Sequence, residues 1–153
     1  MPKFVPVAEL PDYVGRELEP SDWLKITQKR VNQFADATND HQFIHVNRLK
    51  AKFTPFGGTI AHGFLSMSLL SFLNEQNIVV PEGTVMSVNY GSNRMRFLKP
   101  VRVGKRVRSH QKIIDVTEKK PNQWLLTVEV SVEIEGEDTP ALVAELLALF
   151  VVK

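Results

Sequence analysis

The chain has 153 residues and no cysteine, with 43% apolar and 24% charged side chains, a composition typical of one soluble domain that needs no disulfide or metal for stability. The absence of cysteine excludes zinc fingers, iron–sulfur proteins and cysteine nucleophiles. Nineteen basic and seventeen acidic residues give a net charge of +2, and because the basic residues are spread along the chain we expect no nucleic-acid binding.

The chain shows no sign of a targeting or membrane-spanning segment. Residues 1–6 contain too short an apolar stretch and too many prolines for a signal peptide, so a cytoplasmic location is expected. The longest apolar run, 60–73, contains several polar residues and is shorter than the roughly 20 residues that a spanning helix requires. We therefore expect no membrane association.

The first predicted helix covers residues 28–38. Apolar or small side chains recur there with helical spacing along one face: Val31, Phe34, Ala35 and Thr38. Thr27 precedes the pattern and can cap the helix through its hydroxyl. Asn39 and Asp40 end the helix, because their short polar side chains compete for backbone hydrogen bonds.

The segment 41–59 is predicted to be a long loop. It contains Pro55, Gly57 and Gly58 without a clean period, and it is longer than the connections of most compact domains. Long ordered loops frequently carry function.

The segment 60–73 is predicted to be a buried core helix. Its apolar residues fall on nearly every face of a helix: Ile60, Phe64, Leu65, Met67, Leu69, Leu70, Phe72 and Leu73. Such a pattern is typical of a helix wrapped by other structure.

After Gly83 the pattern changes to a period of two, which is typical of strands with one buried face. The alternation is clearest at 126–134. Further strands are predicted at 84–90, 93–98, 106–116 and 141–152, with Gly91 as a bulge and turn residues between the strands. Short turns favour antiparallel pairing, and the sheet's apolar face must be covered by the one large apolar helix. The predicted fold class is therefore α+β, a curved antiparallel β-sheet around a central helix, in a single domain spanning 1–153.

Among four histidines, at 41, 45, 62 and 110, polar residues crowd most around the first two. Asp40 and His45 are five positions apart across a helix end, so both can point into one cleft and hold a water between them. Such a pair suits the addition or removal of water. The structural alternative is that Asp40 caps a turn while His45 hydrogen-bonds a local carbonyl.

A metal site is a further alternative, because His41 and His45 would share a face if their segment were helical. No third ligand lies at a recognised spacing, so we expect no metal. Asp36 could pair with Asp40, but it lies off the apolar stripe and is predicted to face solvent. The sequence also lacks the GxSxG, GxGxxG and Walker patterns, the usual signs of nucleophile-elbow hydrolases and of dinucleotide or nucleoside-triphosphate binding. No cofactor is expected.

Gly63 lies near the predicted start of the core helix, next to His62. A helix N-terminus exposes unpaired N–H groups. A glycine there lets a ligand carbonyl approach the backbone, where these groups and the helix dipole can stabilise an oxyanion or enolate. Alternatively, Gly63 serves only close packing against the sheet and His62 is a local cap.

Together these segments resemble the MaoC-like (R)-specific enoyl-CoA hydratases. The family pattern runs approximately Ser-Gly-Asp-x-Asn-Pro-x-His, followed after a loop by Ala/Val-His-Gly-Met/Phe. Here residues 38–45 read Thr-Asn-Asp-His-Gln-Phe-Ile-His and residues 61–64 read Ala-His-Gly-Phe, so the aspartate, histidine and glycine are in register. This chain departs from the pattern at Asn39, Gln42 and Phe43. The resemblance continues at 34–38, 89–91, 96–97 and 100–104.

The resemblance implies the hot-dog fold, a long helix wrapped by an antiparallel sheet, in agreement with the architecture predicted above. It also implies a homodimer, with an acyl-CoA thioester substrate entering near the subunit interface. Asp40 and His45 would position a water for syn addition to a trans-2-enoyl-CoA, giving an (R)-3-hydroxyacyl-CoA, or for the reverse dehydration. The Gly63 N–H would bind the thioester oxygen.

Met67 and Ser71 follow Gly63 on the same helical face, and the resemblance implies that they line the acyl chain. A small side chain at 71 would leave room for a longer chain. The alternative for Ser71 is a hydrogen bond to its own helix backbone.

Two other functions remain open. A hot-dog thioesterase usually activates water with an acidic residue on or beside the core helix, and 60–73 contains no Asp or Glu, which argues against it. A non-catalytic acyl-CoA-binding dimer partner would not need both Asp40 and His45. Either CoA or a carrier protein can present the acyl group.

Overall fold

The computed structural model describes all residues, 1–153. In chain order the elements are β1 (Lys3–Val5), a 3₁₀ helix (Val7–Tyr13), β2 (Leu24–Lys25), α1 (Gln28–Thr38), α2 (Phe43–Val46), α3 (Arg48–Ala51), α4 (Gly63–Ser68), α5 (Leu70–Glu75), β3 (Val79–Pro81), β4 (Thr84–Phe97), β5 (Arg106–Lys120), β6 (Gln123–Ile134) and β7 (Leu142–Val152).

The main sheet has five strands in the order β2-β5-β6-β7-β4, and every neighbouring pair is antiparallel. Strands β5, β6 and β7 follow one another through short turns, as predicted. Strand β4 pairs with β7 rather than with β5, so it forms the far edge of the sheet. A separate parallel pair of β1 and β3 ties the N-terminus to the end of α5. The sequence pattern did not predict this pair, because each strand has only three residues.

The inner face of the sheet packs on α4 and α5. Alternate residues of β5 and β6 are buried, in agreement with the period of two. Leu65, Leu69, Leu70 and Leu73 of the helical segment join them in one hydrophobic core. This arrangement confirms the predicted α+β class, with a curled antiparallel sheet around a central helical segment.

Helix α1 has the predicted bounds. The Thr27 hydroxyl accepts a hydrogen bond from the Arg30 N–H at 3.1 Å, and Asn39 ends the helix in the left-handed conformation with φ of 60°. The prediction of a long loop over 41–59 is wrong in part, because the segment contains α2 and α3. These helices have four residues each, which is too short to produce a recognisable period.

The core helix begins three residues later than predicted and is interrupted at Leu69. Ile60 and Ala61 are extended instead, because they pair with the chain before β5: the Ala61 N–H donates to the Val101 carbonyl at 2.8 Å, and Ile60 forms a bridge with Arg102. The helical segment also leaves Phe64 and Phe72 exposed in the single chain.

The two strands predicted at 84–90 and 93–98 form one strand, β4. The pairing shifts register between Asn89 and Gly91 and again between Ser92 and Arg94, so the predicted bulge at Gly91 is confirmed without a break in the strand. No helix is both long and apolar enough to cross a membrane.

Candidate active site

Three parts of the chain meet on one side of the molecule: the end of α1, the short helix α2, and residues 59–62 before α4, called the extended segment below. Asp40 lies exposed in the link between α1 and α2, and His45 lies within α2 with only 6% of its surface exposed. His62 is the residue directly before α4. A carboxylate oxygen of Asp40 and one ring nitrogen each of His45 and His62 all lie within 4.8 Å of one another.

The orientation of the His45 ring is fixed by the extended segment. Its Nδ1 donates to the Ile60 carbonyl at 2.7 Å, and the Ile60 N–H donates to the Ile44 carbonyl at 3.0 Å. Nδ1 therefore carries the hydrogen, and Nε2 is the nitrogen left for other partners. Nε2 has no hydrogen-bond partner in the protein and is not among the buried unpartnered atoms, so it reaches open space.

Gln28 ties three segments together behind His45. Its Nε2 donates to the His45 carbonyl at 2.7 Å, and its Oε1 accepts from the Thr59 hydroxyl at 2.6 Å. The same amide nitrogen also reaches Asn32 Oδ1 at 2.9 Å. Gln28 thus links the start of α1 to α2 and to the extended segment. No local sequence pattern indicates this role, because its partners are up to 31 residues away.

Asp40 and His45 are close enough to share one water. A water molecule that forms two hydrogen bonds of ordinary length can bridge atoms about 4.5–5 Å apart. The structural alternatives raised above are also present in part. Asp40 Oδ1 accepts from the Gln42 N–H at 3.3 Å, and His45 does bond a carbonyl, although that carbonyl is 15 residues away. Neither contact occupies His45 Nε2.

His62 also belongs to this cluster, whereas the sequence suggested for it only the alternative role of a local cap. It makes no side-chain cap hydrogen bond at the start of α4, so its alternative role as a local cap is wrong. Instead its ring is stacked on His45, with centroids 3.9 Å apart, and its Nε2 donates to the Asp40 carbonyl at 2.9 Å. The contact joins residues 22 positions apart, which no local pattern signals.

The surroundings lower the pKa of His45 from its ordinary value of 6.5. Burial is the largest cause, because it removes water from the charged ring. The Ile60 carbonyl opposes this effect, His62 lowers the pKa further, and Asp40 raises it. The ring is therefore held in its uncharged form to lower pH than a free histidine, and Nε2 then offers a lone pair.

Gly63 follows His62 directly and carries an N–H without a backbone or side-chain acceptor. The ring of Phe97 packs against its Cα, so a Cβ built at position 63 would meet Phe97 ring atoms at 2.9 Å. The glycine therefore allows close packing, one of the two roles considered. Its free N–H is compatible with the other role as well.

The two residues proposed to line the acyl chain lie beyond Gly63. Met67 is half-buried and packs against the core, whereas Ser71 is exposed on α5. The interruption at Leu69 separates them into two helices. The backbone hydrogen bond considered for Ser71 is found at Ser68 instead, whose hydroxyl donates to the Phe64 carbonyl at 2.7 Å.

The trio of Asp40, His45 and His62 is poorly arranged for a metal ion. The two imidazole planes are stacked 3.9 Å apart at 24°, so their in-plane lone pairs lie in two nearly parallel planes and do not converge on one point, as the ligands of a tetrahedral ion must. His41 lies outside the trio and bonds Asp36 at 2.8 Å on the surface. Asp36 faces solvent as predicted.

A separate cavity of about 480 Å³ lies across the outer face of the main sheet. Its lining includes acidic and basic side chains and one histidine: Glu17, Glu129, Arg94, Arg96, Lys112 and His110. None of the candidate active-site residues lines it, so it is distinct from that site.

Comparison with known proteins identifies relatives over nearly the whole chain. Residues 9–135 match the family model described as the MaoC like domain. The chain is 44% identical over 151 residues to 3-hydroxyacyl-thioester dehydratase Z of Mycobacterium tuberculosis, covering 99% of both chains. It is 43% identical over 144 residues to Nodulation protein N of Rhizobium leguminosarum bv. viciae, covering 94% of this chain and 89% of that protein.

The fold is also that of a solved hydratase. The structure of the (R)-hydratase from A. caviae involved in PHA biosynthesis superposes with a TM-score of 0.71 at 25% identity, and the match covers 88% of this chain and 94% of that chain. The hot-dog fold implied by the sequence motifs is thereby confirmed.

Proposed function

Because the chain belongs to the MaoC-like dehydratase family, we propose that it is an (R)-specific enoyl-CoA hydratase, which adds water to a trans-2-enoyl thioester and catalyses the reverse dehydration. Relatives named as dehydratases support a hydro-lyase reaction in general. The observation that carries the finer proposal is the approach of the Asp40 carboxylate and the His45 ring to within 4.8 Å at an accessible site. A water that binds between them would be placed to attack the substrate.

In the proposed reaction, the water oxygen forms a bond to the β-carbon of the enoyl group. One water proton passes to the pair of Asp40 and His45, and a proton returns from the pair to the α-carbon on the same face. The His45 Nε2 lone pair can take part in this transfer because Nδ1 is already committed to Ile60. Acid–base catalysis of this type contributes about 3–5 kcal/mol.

Charge develops on the thioester oxygen as the β-carbon is attacked, and we assign its stabilisation to the Gly63 N–H. That N–H has no acceptor in the chain, and its residue follows His62, which contacts both Asp40 and His45. A single well-placed donor of this kind is worth about 3–4 kcal/mol. Met67 and Ser71 would contact the acyl chain beyond it.

The proposed substrate is an acyl-CoA thioester, and the proposed partner is a second copy of this chain. Strand β4 is an edge strand with one unpaired side, and it exposes Val85, Met86 and Val88. Phe64 and Phe72 of the core helices are exposed as well. An exposed edge with apolar side chains is normally covered, and a second copy of β4 would cover it symmetrically. The cytoplasmic location also stays a prediction.

The proposal is tested by incubating the protein with crotonyl-CoA and following two signals. Hydration removes the ultraviolet absorbance of the conjugated enoyl thioester without releasing thiol. A hot-dog thioesterase would instead release free CoA, which a thiol reagent detects. A binding protein would leave both signals unchanged while still binding acyl-CoA. Loss of conjugation without thiol release is the expected result, and either of the other outcomes contradicts the proposal.

A further inference from the structure

His62 occupies a position that packing alone does not explain. Its ring is 2% exposed and lies between two other rings, those of Phe34 and His45, at centroid distances of 4.9 and 3.9 Å. A phenylalanine could fill such a space. The histidine instead leaves its Nδ1 buried with no hydrogen-bond partner, and a buried unsatisfied polar atom costs about 1–3 kcal/mol. The other ring nitrogen must therefore contribute something that offsets this cost.

That nitrogen holds the main chain of Asp40. His62 Nε2 donates to the Asp40 carbonyl at 2.9 Å. Neither Asp40 nor His41 takes part in a backbone–backbone hydrogen bond, as donor or as acceptor. The His62 ring is thus the one hydrogen-bond partner of the Asp40 main chain. Without it, the link between α1 and α2 would be fixed at Asp40 only through the side-chain contact from Asp40 Oδ1 to the Gln42 N–H.

The same ring supports His45 from the other side. The face of His62 is stacked on the face of His45 at an interplanar angle of 24°, while the Ile60 carbonyl fixes the His45 ring edge. One buried side chain therefore contacts both members of the pair, and its own main chain continues into the free N–H of Gly63.

We propose that His62 is a positioning residue, which fixes Asp40 through its Nε2 hydrogen bond and His45 through ring stacking so that the two groups share one water. This inference rests on the proposed function for its catalytic consequence. It does not make His62 a donor to the substrate, because its Nε2 is already bonded to Asp40 and its Nδ1 is buried. Small displacements of reacting groups can lower rates by about 100-fold.

Two substitutions separate the hydrogen bond from the stacking. His62→Phe keeps a buried ring but removes the donor to Asp40. His62→Gln loses the ring but carries an amide nitrogen at a comparable distance from the backbone, so it can restore the donor. We expect His62→Phe to lower kcat on crotonyl-CoA by about 100-fold with KM changed less than about threefold, and His62→Gln to retain kcat within about tenfold.

Phe34→Leu is the matched control. Phe34 also packs against the His62 ring, at a centroid distance of 4.9 Å, and its side chain has no hydrogen-bonding atom, so this change loosens the same pocket while leaving the Asp40 tether in place. We expect kcat to fall less than about threefold. A loss in Phe34→Leu as large as that in His62→Phe would assign the effect to general loosening and would overturn the proposal.

Amide hydrogen exchange at Gln42 and His45, whose N–H groups donate to Asp40 Oδ1 and to the Gln42 carbonyl, provides a readout that does not depend on activity. We expect faster exchange at these amides in His62→Phe than in the wild-type protein and in His62→Gln, with unchanged exchange in the β5–β6 hairpin. Unchanged exchange at both amides in a folded His62→Phe protein would contradict the tether.

The remaining outcomes are also decisive. If His62→Phe and His62→Gln lose equal activity, the donor has no special role and the proposal fails. If His62→Phe does not fold, His62→Gln decides alone, since retention of kcat within about tenfold supports the tether and a larger loss contradicts it. If the wild-type protein does not hydrate enoyl thioesters, the proposed function fails, while the exchange measurement still decides the tether.

Discussion

Asp40 and His45 differ in how firmly the protein holds them. His45 is buried and fixed through Nδ1, through its carbonyl and through ring stacking. Asp40 has an exposed side chain and a main chain held by one hydrogen bond. A fixed imidazole beside an accessible carboxylate suits a site that must admit water and substrate, because the Asp40 side chain stays open to solvent while its main chain is held by His62.

Removing either functional group should abolish most of the activity while the protein stays folded. We expect Asp40→Asn and His45→Gln each to lower kcat on crotonyl-CoA by about 100- to 10,000-fold, because each removes one proton-transfer partner. Steady-state kinetics measure the effect, and thermal unfolding checks the fold. The matched control is Asp36→Asn, since this carboxylate lies four residues earlier and is 77% exposed. Near-wild-type kcat in Asp40→Asn would contradict the assignment.

The lowered pKa of His45 predicts a pH dependence of stability. Folding moves this pKa below 6.5, so the unfolded chain binds more protons than the folded chain in the interval between the two values. The free energy of unfolding should therefore fall as pH falls through that interval, and the contribution is fully present above it. Urea unfolding at about pH 7.5 and pH 5.5 measures the difference. The difference should shrink in His45→Gln, and an equal or larger difference there would be inconsistent with this cause.

Some site residues could be identified from the sequence and others could not. Asp40, His45 and Gly63 lie in two short motifs, so a local pattern is enough to single them out. Gln28 lies outside both motifs, and His62 lies within the second one. Both act through bonds to main-chain carbonyls, 17 and 22 residues away, so neither role could be predicted from the local sequence. Such contacts depend on how the segments fold together. Several residue types carry a suitable donor, so no distinctive sequence pattern marks these positions.

The junction between the extended segment and α4 limits access to the candidate active site, because a side chain from the sheet packs over it. Gly63 lies under the ring of Phe97, which comes from the end of β4. The core helix therefore starts where the sheet edge crosses it, and the side chains of both elements limit what can reach the Gly63 N–H.

Gly63→Ala should destabilise the protein, because the added Cβ would lie 2.9 Å from Phe97 ring atoms. We expect a loss of about 1–3 kcal/mol in the free energy of unfolding, measured by urea denaturation. Phe97→Leu in the same chain should relieve the contact and restore most of the stability. The double variant should nevertheless hydrate crotonyl-CoA slowly, because the methyl group still crowds the thioester oxygen. Full activity in a stable double variant would assign Gly63 to packing alone.

Ser71 is the position proposed to set chain-length preference. We expect Ser71→Leu to lower kcat/KM for longer enoyl-CoA substrates relative to crotonyl-CoA by about 10- to 200-fold, the range that a few methylenes in a pocket provide. Substrates of increasing chain length measure the ratio. Since Ser71 is exposed, the substitution should leave thermal stability nearly unchanged. An unchanged ratio would remove Ser71 from the acyl site.

The long strands and α1 could be predicted because their periods run over many residues and their caps and turns are local. The bounds of the core helix could not be predicted from the sequence. Ile60 and Ala61 are apolar and fit a helical pattern, but pairing with the chain at 101–103 outweighs that preference. The boundary between α4 and α5 at Leu69 could not be predicted either, because no helix-breaking residue marks it in the sequence.

For the whole molecule, β4 is the most open feature, because it runs along one edge of the sheet with apolar side chains exposed. We expect the protein to be a dimer by sedimentation at micromolar concentration. Met86→Lys should weaken it, because a two-fold axis near the strand would bring the two new charges together. Met86 is 53% exposed, so the folded monomer should tolerate the change.

The control for this substitution is Val14→Lys. Val14 is also an exposed apolar residue, but it lies next to Gly15, which bonds to β5 on the other side of the sheet from β4. Its replacement should leave the dimer intact. A monomeric wild-type protein, or equal dissociation by both substitutions, would contradict an interface at β4.

The configuration of the product tests the central claim most directly. If Asp40 and His45 hold one water on a single face of the substrate, crotonyl-CoA converted in D₂O must yield (R)-3-hydroxybutyryl-CoA, with deuterium added to the α-carbon on the same face as the hydroxyl. Chiral chromatography and proton NMR of the product read both centres. We expect this single stereoisomer, and an (S)-configured or racemic product would contradict the proposed role of the Asp40 and His45 pair.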